Sequence, residues 1–390
     1  MKPVVKVLLG MMLLLLSSCA GPAPDLSSEP ASLSAPVFSG EPAWPSESTG
    51  AEPALLEEVA VSSEKELQEM LEQAIAAVQQ PPAFDLSAMA AEDWTIEVKN
   101  LYYAILNEHP EYKYAYDLQA EIDEDGLLSC SISYMPYRTG DYPAGFQGET
   151  VGSLASLCQA AEAGLAQEHI PIRIVEPALL VDDMNLILQQ VGGGYLLCQL
   201  NRDGTAVTVT PQGGLTQEEA VARLEEIDKM AGEICAEVVM EGMGEAQQAE
   251  ALYRYLTDHV KYGFRYYAQL EAMPYDSMTA YGALHDNLAI CGGYAQAFQA
   301  LLKQGGIPCL TVSGRMGGEN HMWNLARIDG QWLYFDPTSD RGRADYGFLY
   351  CGVTGEILTQ YEWDADDSMG WATALFPQED ERGEDSSIGS

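Results

Sequence analysis

The sequence predicts an α+β protein with two folded parts. Helical periodicity alternates along the chain with short strand pairs closed by Asp-Gly turns, and most helices are announced by a capping residue. A length of 390 residues also exceeds what one core of ordinary size holds.

The first nineteen residues are read as an export signal. Lys2 and Lys6 form a short basic region ahead of an apolar run over 7–16. That run falls short of the roughly 20 apolar residues a spanning helix needs. It ends in Leu16-Ser17-Ser18-Cys19, which resembles the lipobox of bacterial lipoproteins, where cleavage precedes the cysteine and lipid is attached to it. The resemblance implies a signal peptide over 1–18, lipidation at Cys19 and an extracytoplasmic protein held to the bacterial membrane by its lipid alone. Residues 19–62 are rich in Pro, Ser, Ala and Glu without a sustained period of 2 or 3.6, and are expected to form a disordered tether.

Nineteen basic against fifty-nine acidic residues give a net charge of -40. Such a chain repels polyanions, so a nucleic-acid partner is excluded. Besides Cys19 there are Cys130, Cys158, Cys198, Cys235, Cys291, Cys309 and Cys351, scattered and odd in number. They show neither CxxC nor Cys/His metal spacing, so no metal site or cofactor is expected, and at least one thiol should remain free.

Folded structure is expected from Ser63, a cap for a helix over 65–79 with Leu67, Met70, Leu71, Ala74, Ile75 and Val78 at helical spacing. A second helix is expected over 93–107. Residues 112–122 and 127–134 then form a hairpin around Asp123-Glu124-Asp125-Gly126. A third helix near 153–167 precedes strands at 184–190 and 195–200, and Asn201-Arg202-Asp203-Gly204 turns into a strand over 205–210. The two acidic turns faintly resemble calcium loops, but neither reaches a glutamate at the twelfth position, and ordinary turn chemistry accounts for both. This α+β region, 63–214, carries no catalytic motif. Past Pro211-Gln212-Gly213-Gly214 the chain becomes helical again, with Thr216 as a cap and helices to about 239 and over 245–260. A second domain is placed at 215–365, followed by an acidic tail over 366–390.

The chemistry-bearing residues lie in that second domain. Cys291 stands immediately before a helix whose buried stripe is Ala295, Phe298, Leu301 and Leu302, closed by Gly305-Gly306 and Pro308. A thiol at a helix N-terminus sits at the positive end of the macrodipole, which favours the nucleophilic thiolate. Gly292 and Gly293 permit close approach of neighbouring backbone or substrate. Downstream, 309–313 and 321–328 are strands, and Asp329-Gly330 closes a hairpin with 331–335. A two-residue loop sets Ile328 opposite Gln331, Asn324 opposite Phe335 and Trp323 opposite Asp336. His321, two residues before Trp323 on the same face, becomes the diagonal neighbour of Asp336. Pro337 ends the strand. The residue types then suggest Cys291 as nucleophile, His321 as proton carrier and Asp336 as the group that orients the imidazole. The backbone N–H of Cys291 and the side chain of Tyr281 are candidate oxyanion donors.

Cys291-Gly292-Gly293-Tyr294-Ala295 with Gly306-Ile307, His321-Met322-Trp323-Asn324, and Trp332-Leu333-Tyr334-Phe335-Asp336-Pro337-Thr338 together resemble the core of the transglutaminase-like superfamily. The resemblance covers 215–365. It implies a papain-like core, with the catalytic helix packed on an antiparallel sheet, and assigns Cys291, His321 and Asp336 as the triad. Gly263 follows Tyr262 where bacterial members tend to have an aspartate. The family implies a peptidase, amidase or transamidase acting through a thioester on protein or peptide amides. Cell-wall peptides are a substrate suggested by the export signal. Two alternatives stand beside this: a non-catalytic binding or scaffolding lipoprotein that retains the fold, and a structural disulfide between Cys291 and Cys309.

Overall fold

A computed structural model describes residues 58–89, 93–176, 179, 182–267 and 273–377. The expected signal peptide, Cys19 and most of the expected tether lie outside the described residues. Two compact units divide the chain at Tyr134/Met135.

In the first unit, strands run in the order Glu58–Ala60, Ala83–Asp85, Leu127–Tyr134, Ala115–Ile122. Ser63 caps the helix Glu64–Ala77 through its side chain, and Leu67, Leu71, Ala74 and Ile75 are its buried stripe. Asp93 does the same for Trp94–Glu108. At the hairpin turn the Asp123 carboxylate accepts from the N–H groups of Asp125 and Leu127, at 3.0 and 2.9 Å, and Gly126 takes a φ of 83°. The aspartate serves the turn itself. Glu58–Ala60 corrects the expected tether boundary at 62, because this segment pairs parallel with Ala83–Asp85. Three residues are too few to display a period in sequence, so only the partner strand reveals them.

Among the described residues the second unit holds a four-stranded sheet, a five-stranded sheet and a two-stranded parallel pair, Lys261–Tyr262 with Leu288–Ala289. The first has the order Glu149–Val151, His169–Ile174, Ala206–Pro211, Leu196–Leu200 and carries the helices Leu154–Gly164 and Asp182–Val191. The last of these replaces the strand expected over 184–190. Leu186 is exposed while Ile187 and Leu188 are adjacent and buried, a pattern that the two-residue alternation of a strand does not give. Met, Leu and Gln also favour helix over strand.

Helices Gln217–Val238 and Glu245–His259 follow, the first opened by a Thr216/Glu219 capping box. The helix Cys291–Gln304 packs on both and on the second sheet. That sheet is antiparallel throughout, in the order Cys351–Val353, Gln331–Phe335, Glu319–Ile328, Cys309–Met316, Tyr361–Glu362.

Two expected boundaries move. The first division falls at 134/135 and not near 215, because the smaller sheet is bonded into the larger assembly. The Gln190 side chain accepts from Thr311 N and Oγ1 at 3.2 and 2.9 Å, and Gln217 donates to the carbonyls of Leu165 and Gln167 at 2.9 and 2.7 Å. The expected tail from 366 is also corrected, since Ala365–Leu375 is a helix whose Ala372 joins the core formed by Leu310, Trp323, Leu325 and Tyr334. Its sequence, mostly small and acidic, hides the few apolar positions that it buries. No helix among the described residues is long and apolar enough to cross a membrane.

Candidate active site

Cys291 opens its helix where expected. Tyr294, Ala295, Ala297, Phe298, Leu301 and Leu302 bury the inner face, and Gly305 and Gly306 close it, the latter with φ 69°. Ile290 occupies the cap position in an extended conformation without a side-chain cap. The first-turn N–H groups at Cys291 are thus left uncapped by any side chain.

The two glycines after the thiol are explained by backbone rather than by ligand. A Cβ on Gly293 would lie 2.8 Å from the carbonyl oxygens of Ser277 and Thr279, and one on Gly292 would lie 3.0 Å from that of Met278. The helix start presses directly against the segment 277–279. Ile290 N–H donates to the Ser277 carbonyl at 3.0 Å and ties the two together.

His321 and Asp336 meet as the hairpin register requires. Asn324 faces Phe335 and Ile328 faces Gln331, with Asp329 and Gly330 both at positive φ in the turn. His321 Nε2 lies 2.7 Å from Asp336 Oδ2, with the side chains 8% and 1% exposed. The Cys291 thiol lies close enough to the His321 imidazole to help raise its pKa. With Nε2 turned to the carboxylate, Nδ1 is the ring nitrogen left for the thiol.

Burial of the imidazole opposes its charged form, but the Asp336 charge and hydrogen bond, reinforced by Cys291, overcome this and push the His321 pKa up to about 10. Asp336 is the mirror case. Burial raises its pKa, but the charge of His321 and the hydrogen bonds from His321, Ser339 and Tyr361 bring it below the ordinary value. The site is therefore built to hold an imidazolium against a carboxylate.

Ser339 and Tyr361 were not singled out in the sequence. Ser339 Oγ and Tyr361 OH each donate to Asp336 Oδ2 at 2.6 Å, and Ser339 N donates to Oδ1 at 3.1 Å. Ser339 was discoverable, because an aspartate followed three residues later by serine is a common local turn. Tyr361 was not, for only pairing of its short strand with Arg315 and Met316 brings it there. Trp323 stacks beside the imidazole at 5.9 Å between centroids and 23° between planes, while Tyr361 meets it edge-on. Beneath, the Tyr253 hydroxyl bonds the Asp336 carbonyl at 2.7 Å and Asp340 Oδ2 at 2.8 Å. Asp340, fully buried, also accepts from the N–H groups of Leu349 and Tyr350, which pins the loop beyond Asp336.

Two expectations for the site change. The Tyr281 side chain is engaged by Arg223 and Glu226, with the guanidinium 3.9 Å from the ring centroid, and so is not a free oxyanion donor. The seven described cysteines are all free, so the Cys291–Cys309 disulfide does not form. Cys309 is instead buried and receives a hydrogen bond from Asn324 Nδ2 at 3.6 Å. Among the described residues no group of three or more His, Cys, Asp or Glu side chains is arranged to hold a metal ion.

Residues 232–337 match the model of the transglutaminase-like superfamily. Kyphoscoliosis peptidase of Homo sapiens is 23% identical over 135 residues and that of Mus musculus 24% over 138, each match covering 30% of this chain and 20% of the relative. The chain thus spans about a fifth of the length of the curated relatives it matches. A crystal structure of a TGase is similar at 15% identity with a TM-score of 0.32, over 50% of this chain and 62% of that one.

Proposed function

Residues 232–337 form a transglutaminase-like domain, and from that premise we propose that the chain is a thiol acyl-transfer enzyme acting on protein or peptide amides. The observation that carries the reading is the 2.7 Å His321–Asp336 pair, with the Cys291 thiol near enough to act on the same imidazole. A disulfide or a packing cysteine has no use for that arrangement.

In the proposed reaction Cys291 Sγ, its proton on His321, attacks the amide carbonyl carbon. The C–S bond forms and the carbonyl π pair moves to oxygen, where the uncapped N–H groups at the helix start can receive it. His321 then gives its proton to the amide nitrogen as the C–N bond breaks, and the amine leaves a thioester behind. Water attacks that thioester, His321 takes its proton, and the C–S bond breaks to release the acid and restore the thiolate. An amine in place of water gives transamidation. We favour hydrolysis, in keeping with the peptidase names of the curated relatives.

The experiment follows iodoacetamide labelling of Cys291 by mass spectrometry against pH, with His321→Ala alongside. Rapid labelling near pH 6 that slows in the variant is expected. Labelling no faster than that of Cys235 or Cys351 would sink the enzyme reading and leave a binding lipoprotein. We also propose lipidation at Cys19 and action outside the cytoplasm, with cell-wall peptides as candidate substrates. Metabolic labelling with an alkynyl fatty acid should mark the wild type and not Cys19→Ala. Equal labelling of both would reject the anchor.

A further inference from the structure

The residues behind the nucleophile are gripped from the smaller sheet of the same unit. Gly192-Gly193-Gly194-Tyr195 links the helix Asp182–Val191 to the strand Leu196–Leu200. Tyr195 is fully buried, and its hydroxyl meets two residues more than eighty positions downstream. It donates to the Asp276 carboxylate and lies 2.9 Å from Thr279 Oγ1. Thr279 Oγ1 in turn donates to the Asp276 carbonyl at 2.9 Å. The Tyr275 hydroxyl returns the contact by donating to the Gly194 carbonyl, and Arg223 holds the other Asp276 oxygen at 3.6 Å.

Close approach is obligatory on both sides. Gly194 has φ 80°, and a Cβ there would stand 3.2 Å from the Thr279 methyl. The gripped segment is the one whose carbonyls at Ser277, Met278 and Thr279 face Gly292 and Gly293, and whose Ser277 oxygen receives the Ile290 N–H. One chain of contacts therefore runs from Tyr195, through 276–279, to the first turn that carries Cys291.

We propose that Tyr195 is a positioning residue for the nucleophile: with Asp276 and Thr279 it fixes where the helix start, and with it the Cys291 thiol, sits relative to His321. This rests on the enzyme reading above and gives the region 135–214 a role in it. A buried hydroxyl removed from a carboxylate leaves that carboxylate short of a donor, so the segment should shift to find another. Small displacements of a reacting atom are costly in rate.

The test uses the full chain and Tyr195→Phe, which keeps the buried ring and removes only the hydroxyl. Two readouts are taken: amide hydrogen exchange at Ile290, and the pH profile of iodoacetamide labelling at Cys291. Faster exchange is expected, with labelling near pH 6 about tenfold slower and its profile displaced upward by about one pH unit. Thr279→Val should reproduce both changes and Thr279→Ser should restore wild-type values, which carries the test should Tyr195→Phe fail to fold. Unchanged exchange overturns the proposal. Faster exchange with an unchanged labelling profile also overturns it, since the contact would then be structural only. Slow labelling of the wild type itself counts against the enzyme reading instead, and exchange at Ile290 still decides whether Tyr195 braces the helix start.

Discussion

At the residue scale the site is an electrostatic arrangement with a definite pH dependence. The folded-state pKa of His321 is raised from the ordinary 6.5 to about 10 against the opposition of burial, chiefly by Asp336. A raised pKa means that the folded state holds its proton more tightly than the unfolded chain does. The resulting stability is fully present below about 6.5 and is lost as pH rises through about 10. His321→Gln should therefore lower the unfolding midpoint clearly at pH 6, and the gap to wild type should shrink steadily toward pH 10. Thermal unfolding of both proteins across that range checks it, and a gap that widens with pH would refute the charge assignment. Ser339 and Tyr361 belong to the same arrangement, because a buried carboxylate without donors would neutralise itself instead of holding an imidazolium.

At the element scale the decisive feature is how closely the helix Cys291–Gln304 meets the backbone of 277–279. Gly293→Ala would set a Cβ 2.8 Å from two carbonyl oxygens and 2.7 Å from the Ala289 methyl. The helix start must then move. Overpacking of this kind typically costs about 1–3 kcal/mol. Gly293→Ala should lower stability by about that much and slow Cys291 labelling, as read by urea unfolding and mass spectrometry. Gly292→Ala, at 3.0 Å from one carbonyl, should do less. These elements were largely legible beforehand. Ser63, Asp93, Thr216, the Asp329-Gly330 turn and the apolar stripe of the helix Cys291–Gln304 each announce themselves within a few residues of chain. The helix Asp182–Val191 did not, since a short run of Met, Leu and Ile fits either period until burial chooses between them.

At the scale of the whole molecule, the region 135–214 and the segment after 365 belong to the unit that holds Cys291, His321 and Asp336, although neither contributes one of those three residues. The helix Ala365–Leu375 seals the core around Trp323, the residue that stacks on His321. Arg327 Nη1 also donates to the Phe376 carbonyl at 2.9 Å. Ending the chain at residue 364 should therefore expose Leu310, Trp323 and Tyr334, lower the unfolding midpoint markedly and abolish rapid labelling of Cys291. Circular dichroism melting and the alkylation assay would show it. A truncated protein that melts and labels like the full chain would make this helix dispensable.

What the sequence by itself determined is the local and the short-range: the Cys291 thiol at a helix start, and the His321–Asp336 pairing, which a two-residue turn dictates through strand register alone. Such features depend on dihedral preference and period over a few residues, so they survive without knowledge of the rest of the chain. Only the tertiary structure decided that Tyr361 and Ser339 complete the carboxylate's donors, that Tyr281 is taken by Arg223 and Glu226, and that the unit begins at 135. Those contacts join positions tens of residues apart whose side chains are ordinary in sequence. Their meaning comes from burial, where every polar atom must find a partner, and burial exists only once the chain has folded.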